Sequence, residues 1–71
     1  MKREPLSNRI AKRLKKHRLQ QGLSQMELAE LAGMHFTYYS QIERAVRKDI
    51  SVRRLKDITD ALGVTLNDIV Y

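Results

Sequence analysis

The sequence contains no cysteine, which excludes disulfide bonds and any metal site built on thiolates. Its two histidines, His17 and His35, are too few for a zinc site, so we expect neither a metal nor a cofactor. No apolar run approaches the roughly 18 residues of a membrane span. The basic start of the chain leads into no apolar segment of a signal peptide. We therefore expect a cytoplasmic protein that has no membrane partner.

Glycine and proline are also scarce, and each of the three glycines follows a segment whose apolar residues recur every three or four positions. This spacing is typical of amphipathic helices, and a glycine just beyond the last turn is a common helix stop. With 71 residues the chain has room for one domain, residues 1–71. The pattern predicts five helices and no strand, which is an all-α fold.

Hydroxyl side chains stand where four of these helices would begin, and each can accept a hydrogen bond from an otherwise unpaired backbone N–H. They are Ser7, Ser24, Ser51 and Thr65. Glu27 lies three positions after the second of these residues and completes the pattern of a capping box. The third helix is expected from Phe36 to around Arg44. The fourth is expected to bury one apolar stripe, formed by Val52, Leu55, Ile58 and Leu62.

The net charge of +6 is concentrated in two blocks. Residues 1–21 carry eight lysines and arginines and residues 43–56 carry six, whereas residues 22–42 carry only two charged side chains, both acidic. Two basic blocks on either side of a neutral segment favour a polyanion that is held on both sides of a reading surface. A well-solvated surface is the alternative, so the charge alone does not decide the function.

Residues 25–44 are the most informative segment, because they predict two short helices joined by a turn with one glycine. Ala29 lies where the two helices would cross, and a larger side chain there would push them apart. Gly33 supplies the positive φ of a sharp turn. Tyr39 and Ile42 face back towards the first of the two helices. The outer face of the second helix is left with Phe36 and with hydroxyl, amide and guanidinium side chains. Such a face suits the major groove of DNA, since that groove admits one helix and presents base-edge donors and acceptors.

The string GLSQMELAELAG at residues 22–33, followed by IER at residues 42–44, resembles the Cro/C1-type (xenobiotic-response-element-like) helix-turn-helix family. This family of transcription regulators includes phage repressors and restriction–modification controller proteins. The resemblance covers residues 8–70. It implies a compact five-helix, lambda-repressor-like fold that binds double-stranded DNA sequence-specifically, with the recognition helix, residues 36–44, in the major groove. No catalytic constellation is found beside it, so we expect no enzyme activity.

The resemblance implies a role for individual side chains. Base contacts are assigned to His35, Phe36, Thr37 and Gln41. Phosphate contacts are assigned to Ser24, Gln25, Tyr38, Ser40, Arg44, Arg47 and Lys48. Gln41 would bond an adenine through both ends of its amide, and Phe36 would touch a thymine methyl group. For Phe36 and Tyr38 the alternative is packing within the domain. For His35 it is a helix cap, and for Gln25 and the basic loop it is an ordinary solvated surface.

The same resemblance aligns Arg18 and Glu43 with a salt bridge that joins the first helix to the recognition helix. A surface pair of little energetic value is the alternative.

Two departures from the family pattern affect these expectations. Ala45 replaces the glycine that usually follows Glu-Arg, and the next loop is about one residue longer than is usual for the family. The recognition helix is therefore expected to run on past Arg44, which puts the phosphate contacts of Arg47 and Lys48 in question. Tyr39 stands where the family prefers valine or isoleucine, and its hydroxyl then needs a partner or an outlet to solvent.

A single recognition helix reads only a few base pairs, so a homodimer on a palindromic operator is expected, with half-sites about 34 Å apart. The dimer surface is assigned to the C-terminal helices within residues 52–71, with core packing as the alternative for each side chain. Its candidates are Leu66, Ile69, Val70 and Tyr71. RNA polymerase would be a further partner if the protein activates transcription, and no small-molecule ligand is expected. The other classes considered are an antitoxin-type regulator and an RNA-binding or protein-bridging module.

Overall fold

The computed structural model describes residues 4–71, which form five α-helices and no strand. The helices are α1 (Leu6–Gln20), α2 (Gln25–Leu31), α3 (Phe36–Glu43), α4 (Val52–Leu62) and α5 (Leu66–Val70). The predicted all-α fold is confirmed, with every helix close to its expected position.

Three of the four predicted helix caps form. The hydroxyls of Ser24, Ser51 and Thr65 each accept a hydrogen bond from the backbone N–H three residues later. The prediction for Ser7 was wrong, because α1 begins one residue before it and its N-cap is Pro5. The proline ring holds φ near the helical value, −56° here, and so starts the helix without a side-chain cap.

The turn between α2 and α3 is closed by the backbone of Gly33, which has φ +70°. The N–H of Gly33 donates to the carbonyl of Glu30, and the N–H of Met34 donates to the carbonyl of Ala29, both at 3.0 Å. This pair of bonds is a Schellman motif, which needs a left-handed residue at its centre. The predicted glycine turn is thus present.

The end of α3 has the same geometry without a glycine. Ala45 has φ +60° and is the one residue other than glycine with positive φ in the described chain. Its N–H donates to the carbonyl of Ile42, and the N–H of Val46 donates to the carbonyl of Gln41, both at 3.1 Å. The expectation that α3 runs on past Arg44 was therefore wrong, because Ala45 adopts the left-handed conformation in place of glycine and ends the helix.

The core forms where α1 packs against α3 and α5, while α2 packs against α3 and α4. It consists of Ile10, Leu14, Leu28, Ala29, Ala32, Tyr39, Ile42, Leu55, Ile58, Leu62 and Ile69. Val52 was predicted to belong to the buried stripe of α4, but it lies at the first position of that helix, beyond the core, and 71% of it is exposed. Thr59 is buried on α4 instead, and its hydroxyl donates to the carbonyl of Lys56.

Candidate nucleic-acid interface

The inner face of α3 is fixed by the crossing with α2. Ala29 is only 1% exposed, and Leu28, Tyr39 and Ile42 are completely buried around it. The small side chain at position 29 lets two short helices approach closely, as the sequence predicted. With these residues turned inward, the opposite face of α3 must point away from the rest of the chain.

A buried ion pair joins α3 to α1. The Arg18 guanidinium donates to both carboxylate oxygens of Glu43, with Nε–Oε2 at 2.9 Å and Nη2–Oε1 at 2.7 Å. Nη1 of Arg18 donates to the carbonyl of Leu23 at 2.7 Å. The side chains of Arg18 and Glu43 are only 9% and 2% exposed. This is the ion pair predicted from the sequence, and its burial rules out the alternative of a surface pair.

The charge of Glu43 is maintained by its surroundings. Burial alone would raise the pKa of this carboxyl, but the hydrogen bonds and the positive charge of Arg18 outweigh it and lower the pKa. Glu43 is therefore ionised and neutralised by Arg18, so the carboxylate does not repel an anion that approaches α3.

Tyr39 departs from the expectation for its hydroxyl. The side chain is completely buried, and no group within residues 4–71 forms a hydrogen bond with its hydroxyl. Burial raises the pKa of this phenol, so the hydroxyl remains protonated. Tyr39 thus has neither the partner nor the outlet to solvent that was expected.

The four candidates for base contact lie at the outer side of α3. His35 precedes the helix and is exposed, and its side chain makes no capping hydrogen bond, which removes the capping alternative. Phe36 is 43% exposed and Thr37 is also exposed, whereas Gln41 is partly exposed. Thr37 and Gln41 are one helical turn apart and so share a face.

The candidates for phosphate contact divide into free and engaged side chains. Arg44 and Lys48 are exposed, and the Ser24 hydroxyl lies at the exposed start of α2. Tyr38 is half-buried and packs against the core, which favours the alternative of packing for that residue. The remaining candidates, Gln25 and Ser40, are partly buried.

Arg47 is engaged by three neighbours. Its Nε donates to Oε1 of Gln41 at 3.2 Å, and its guanidinium lies over the Tyr38 ring, 4.7 Å from the ring centroid. Its Nη1 is 3.5 Å from a carboxylate oxygen of Asp49. The Arg47 guanidinium therefore holds the loop after α3 against α3 itself.

Basic residues of α1 lie beside the candidate interface, although the sequence did not point to them. Lys12 and Lys15 line a groove of about 270 Å³ with Arg44, between α1 and the end of α3. Arg9 and Arg13 face α5 instead, where they donate to the carbonyls of Val70 and Asp68, in that order. The first basic block is thus divided between two faces of α1. The spacing of Lys12 and Lys15 places them on one face, but only the packing of α1 shows that this face adjoins α3.

The predicted dimer surface is smaller than expected. Ile69 is completely buried in the core of its own chain, so its assignment to the dimer surface was wrong. Leu66 and Val70 are partly buried and pack against the same core, whereas Tyr71 is 78% exposed. A helix of five residues needs most of its apolar side chains to attach it to the core.

None of the helices formed by residues 4–71 combines the length and the apolar character that a membrane span requires.

Comparison with known proteins gives consistent matches. The family model described as Helix-turn-helix (HTH_3) matches residues 14–69. The HTH-type transcriptional regulators SinR of Bacillus subtilis (strain 168) and of Bacillus licheniformis are each 34% identical to this chain over 61 residues. These matches cover 86% of this chain, which spans only 55% of the length of either relative.

Two solved structures are also similar. A hypothetical transcription factor, NHTF, from Neisseria has a TM-score of 0.88 and 30% identity, over 93% of this chain and 75% of its own. SinR, described as the master regulator for biofilm formation, was solved in complex with DNA and has a TM-score of 0.83 and 34% identity. That match covers 87% of this chain and 98% of the SinR chain.

Proposed function

Because the chain belongs to the Helix-turn-helix family (HTH_3), which is of the Cro/C1 type and is not a class of enzymes, we propose that it is a sequence-specific DNA-binding transcription regulator. The observation that carries this proposal is the geometry of α3. Its inner face is fixed by the α2 crossing and by the ion pair of Arg18 with Glu43, and its outer face carries Thr37 and Gln41 towards solvent. The DNA complex of SinR supports the same use of this fold.

In this mechanism α3 enters the major groove of a duplex. Thr37 and Gln41 face the base edges from successive turns, and the exposed ring of Phe36 contacts a thymine methyl group. His35 lies at the entrance of the helix and completes the base-reading set. The burial of Glu43 keeps a negative charge out of the groove.

Phosphates on either side of the groove bind to the basic residues that flank α3. Arg44 and Lys48 follow the helix, and Lys15 extends the same positive surface along α1, where the neighbouring Lys12 is paired with Glu4. Ser24 and Gln25 at the start of α2 offer polar groups to the opposite strand. These contacts position the protein without selecting a sequence.

Two copies of the chain bind one palindromic operator. A single α3 covers too few base pairs for useful selectivity, and two copies related by a two-fold axis double the site, with half-sites about 34 Å apart. Tyr71, together with the exposed parts of Leu66 and Val70, is the candidate contact between copies. Such a regulator acts in the cytoplasm, where it binds the chromosome. RNA polymerase is a further partner if the outcome is activation.

The deciding experiment selects bound duplexes from a random pool and then measures binding of the selected site by gel shift. The expected result is a palindromic consensus bound by two copies of the chain. Gln41→Ala should weaken binding to that site by about 1–3 kcal/mol and hardly affect random DNA, whereas Arg44→Ala should weaken both similarly. Recovery of no consensus, or a preference for RNA or for a protein partner in competition, would contradict the proposal.

A further inference from the structure

We propose that Gln41 and Arg47 read DNA as one unit, in which Arg47 orients the Gln41 amide so that this amide offers hydrogen-bond donors to the groove. The unit should select a base with two acceptors, which is guanine, at the position that Gln41 faces. Arg47 is then a specificity-determining residue that acts by positioning Gln41. This inference rests on the proposed function.

The orientation of the Gln41 amide follows from the chemistry of its partner. The Nε–H of Arg47 can only donate a hydrogen bond, so the amide atom 3.2 Å away must be the oxygen. The amide NH2 group of Gln41 then lies on the other end of the amide plane, away from Arg47. A glutamine on an exposed helix face would otherwise rotate freely about its last side-chain torsion.

Arg47 is itself held in place, which makes it an effective support. Its backbone N–H donates to the Gln41 carbonyl at 3.2 Å. Its guanidinium lies on the Tyr38 ring, which packs against the core, and its Nη1 is close to Asp49. The left-handed backbone of Ala45 turns the chain so that these contacts can form. The Gln41 amide is therefore connected to the core through the loop that follows α3.

The hydrogen-bonding pattern that Gln41 presents to DNA differs from that of a free glutamine. A free glutamine bonds adenine by accepting from N6 with its oxygen while it donates to N7. Here the oxygen is directed at Arg47, so the NH2 group is what faces the groove. Guanine presents N7 and O6, both acceptors, to the major groove. The pair should thus favour guanine, and the loss of Arg47 should release the amide for adenine.

The test compares the wild-type protein with Arg47→Lys by duplex selection and by binding to matched sites that carry guanine or adenine at one position. That position is the one at which Gln41→Ala removes the preference. Lysine keeps the positive charge, so a phosphate contact is preserved, but it lacks the planar fork that holds the amide oxygen and covers the Tyr38 ring. The preference for guanine over adenine should fall about tenfold or reverse, since a good base contact contributes about that much discrimination.

Arg53→Lys is the matched control, because it makes the same chemical change at an exposed arginine that has no part in the proposed DNA contacts. It should leave the base preference unchanged. The Arg47→Lys change should also have no effect on base preference when Gln41 is already alanine. An unchanged preference in Arg47→Lys would overturn the inference while the proposed function stood.

A second measurement needs no DNA. The side-chain NH2 group of Gln41 should show a higher NMR order parameter than that of the exposed Gln20, and Arg47→Lys should lower it towards the Gln20 value. If the two amides are equally mobile in the wild-type protein, the arrangement of Gln41 and Arg47 is refuted whatever the DNA experiments show. If the order parameters differ but no duplex is selected, the proposed function fails and the inferred base preference with it.

Discussion

Ala45→Gly should stabilise the protein, although it removes a side-chain carbon. Ala45 is held at φ +60° by the Schellman motif that ends α3. A residue with a Cβ is about 1–2 kcal/mol less stable than glycine in the left-handed region. Glycine has more freedom in the unfolded chain, which reduces the gain by about 0.4–1 kcal/mol. From the midpoints of these two ranges, the net increase in the free energy of unfolding should be about 0.8 kcal/mol.

The assay is urea unfolding of the full chain, followed by circular dichroism of the helices. The midpoint should rise with an unchanged slope, because the surface exposed on unfolding does not change. In thermal unfolding the same gain should raise Tm by about 3–6 °C, since one kcal/mol shifts the Tm of a chain of this size by about 4–8 °C.

Gly63→Ala is the matched control with the opposite sign. Gly63 has φ +71° after α4, and a Cβ built there meets no atom within 4 Å. Its substitution should therefore lower the free energy of unfolding by about 1 kcal/mol through backbone conformation alone. If Gly63→Ala destabilises while Ala45→Gly has no effect or destabilises, the strain assigned to Ala45 is absent and the reasoning is refuted.

Four further predictions concern the buried groups and the basic groove. Glu43→Gln should lower the free energy of unfolding by about 3–5 kcal/mol, because it leaves the charge of Arg18 buried without its partner. Lys12→Gln, which removes the exposed ion pair of Lys12 with Glu4, should change it by less than about 1 kcal/mol. Equal effects in urea unfolding would argue against a special role for the buried pair. The pKa of Glu43 in the folded protein lies below its ordinary value of 4.5, so the contribution of the Glu43 carboxylate to stability is complete above that pH and is lost as the pH falls through the folded pKa. The stability of the Glu43→Gln variant should therefore fall less steeply below pH 4.5 than that of the wild-type protein. Parallel pH profiles of the two proteins would count against this assignment. Tyr39→Phe removes a buried hydroxyl without a partner and should raise the free energy of unfolding by about 1 kcal/mol, and a clear loss of stability would mean that this hydroxyl is hydrogen-bonded. Lys15→Gln should reduce the slope of log Kd against log salt concentration by about 0.9 if this lysine contacts one phosphate, and an unchanged slope would exclude that contact.

Local chemistry explains which parts of the fold were predictable from the sequence. The caps at Ser24, Ser51 and Thr65 and the glycine turn at Gly33 depend on residues no more than five positions apart, so a short sequence window contains their cause. Ser7 failed as a cap because a neighbouring proline provided a competing local start to α1.

Features that depend on tertiary packing were harder to predict. In a helix as short as α5, the apolar spacing cannot separate a core residue such as Ile69 from a surface residue such as Tyr71. The position of Lys15 beside α3 and the contact between Arg47 and Gln41 depend on how α1 and the loop fold back. The ion pair of Arg18 with Glu43 was predicted only through resemblance, since nothing in its spacing joins residues on two separate helices.

The position of α1 between α3 and α5 has a consequence for how two copies could span an operator. Both short helices rest on α1, which holds α3 through the Arg18 side chain and α5 through the Arg9 contact with the Val70 carbonyl. In a dimer joined near α5, the distance between the two reading helices is then set by the thickness and tilt of α1. Substitutions that repack the buried side of α1 should change the half-site spacing that the dimer binds, while the preferred bases stay the same.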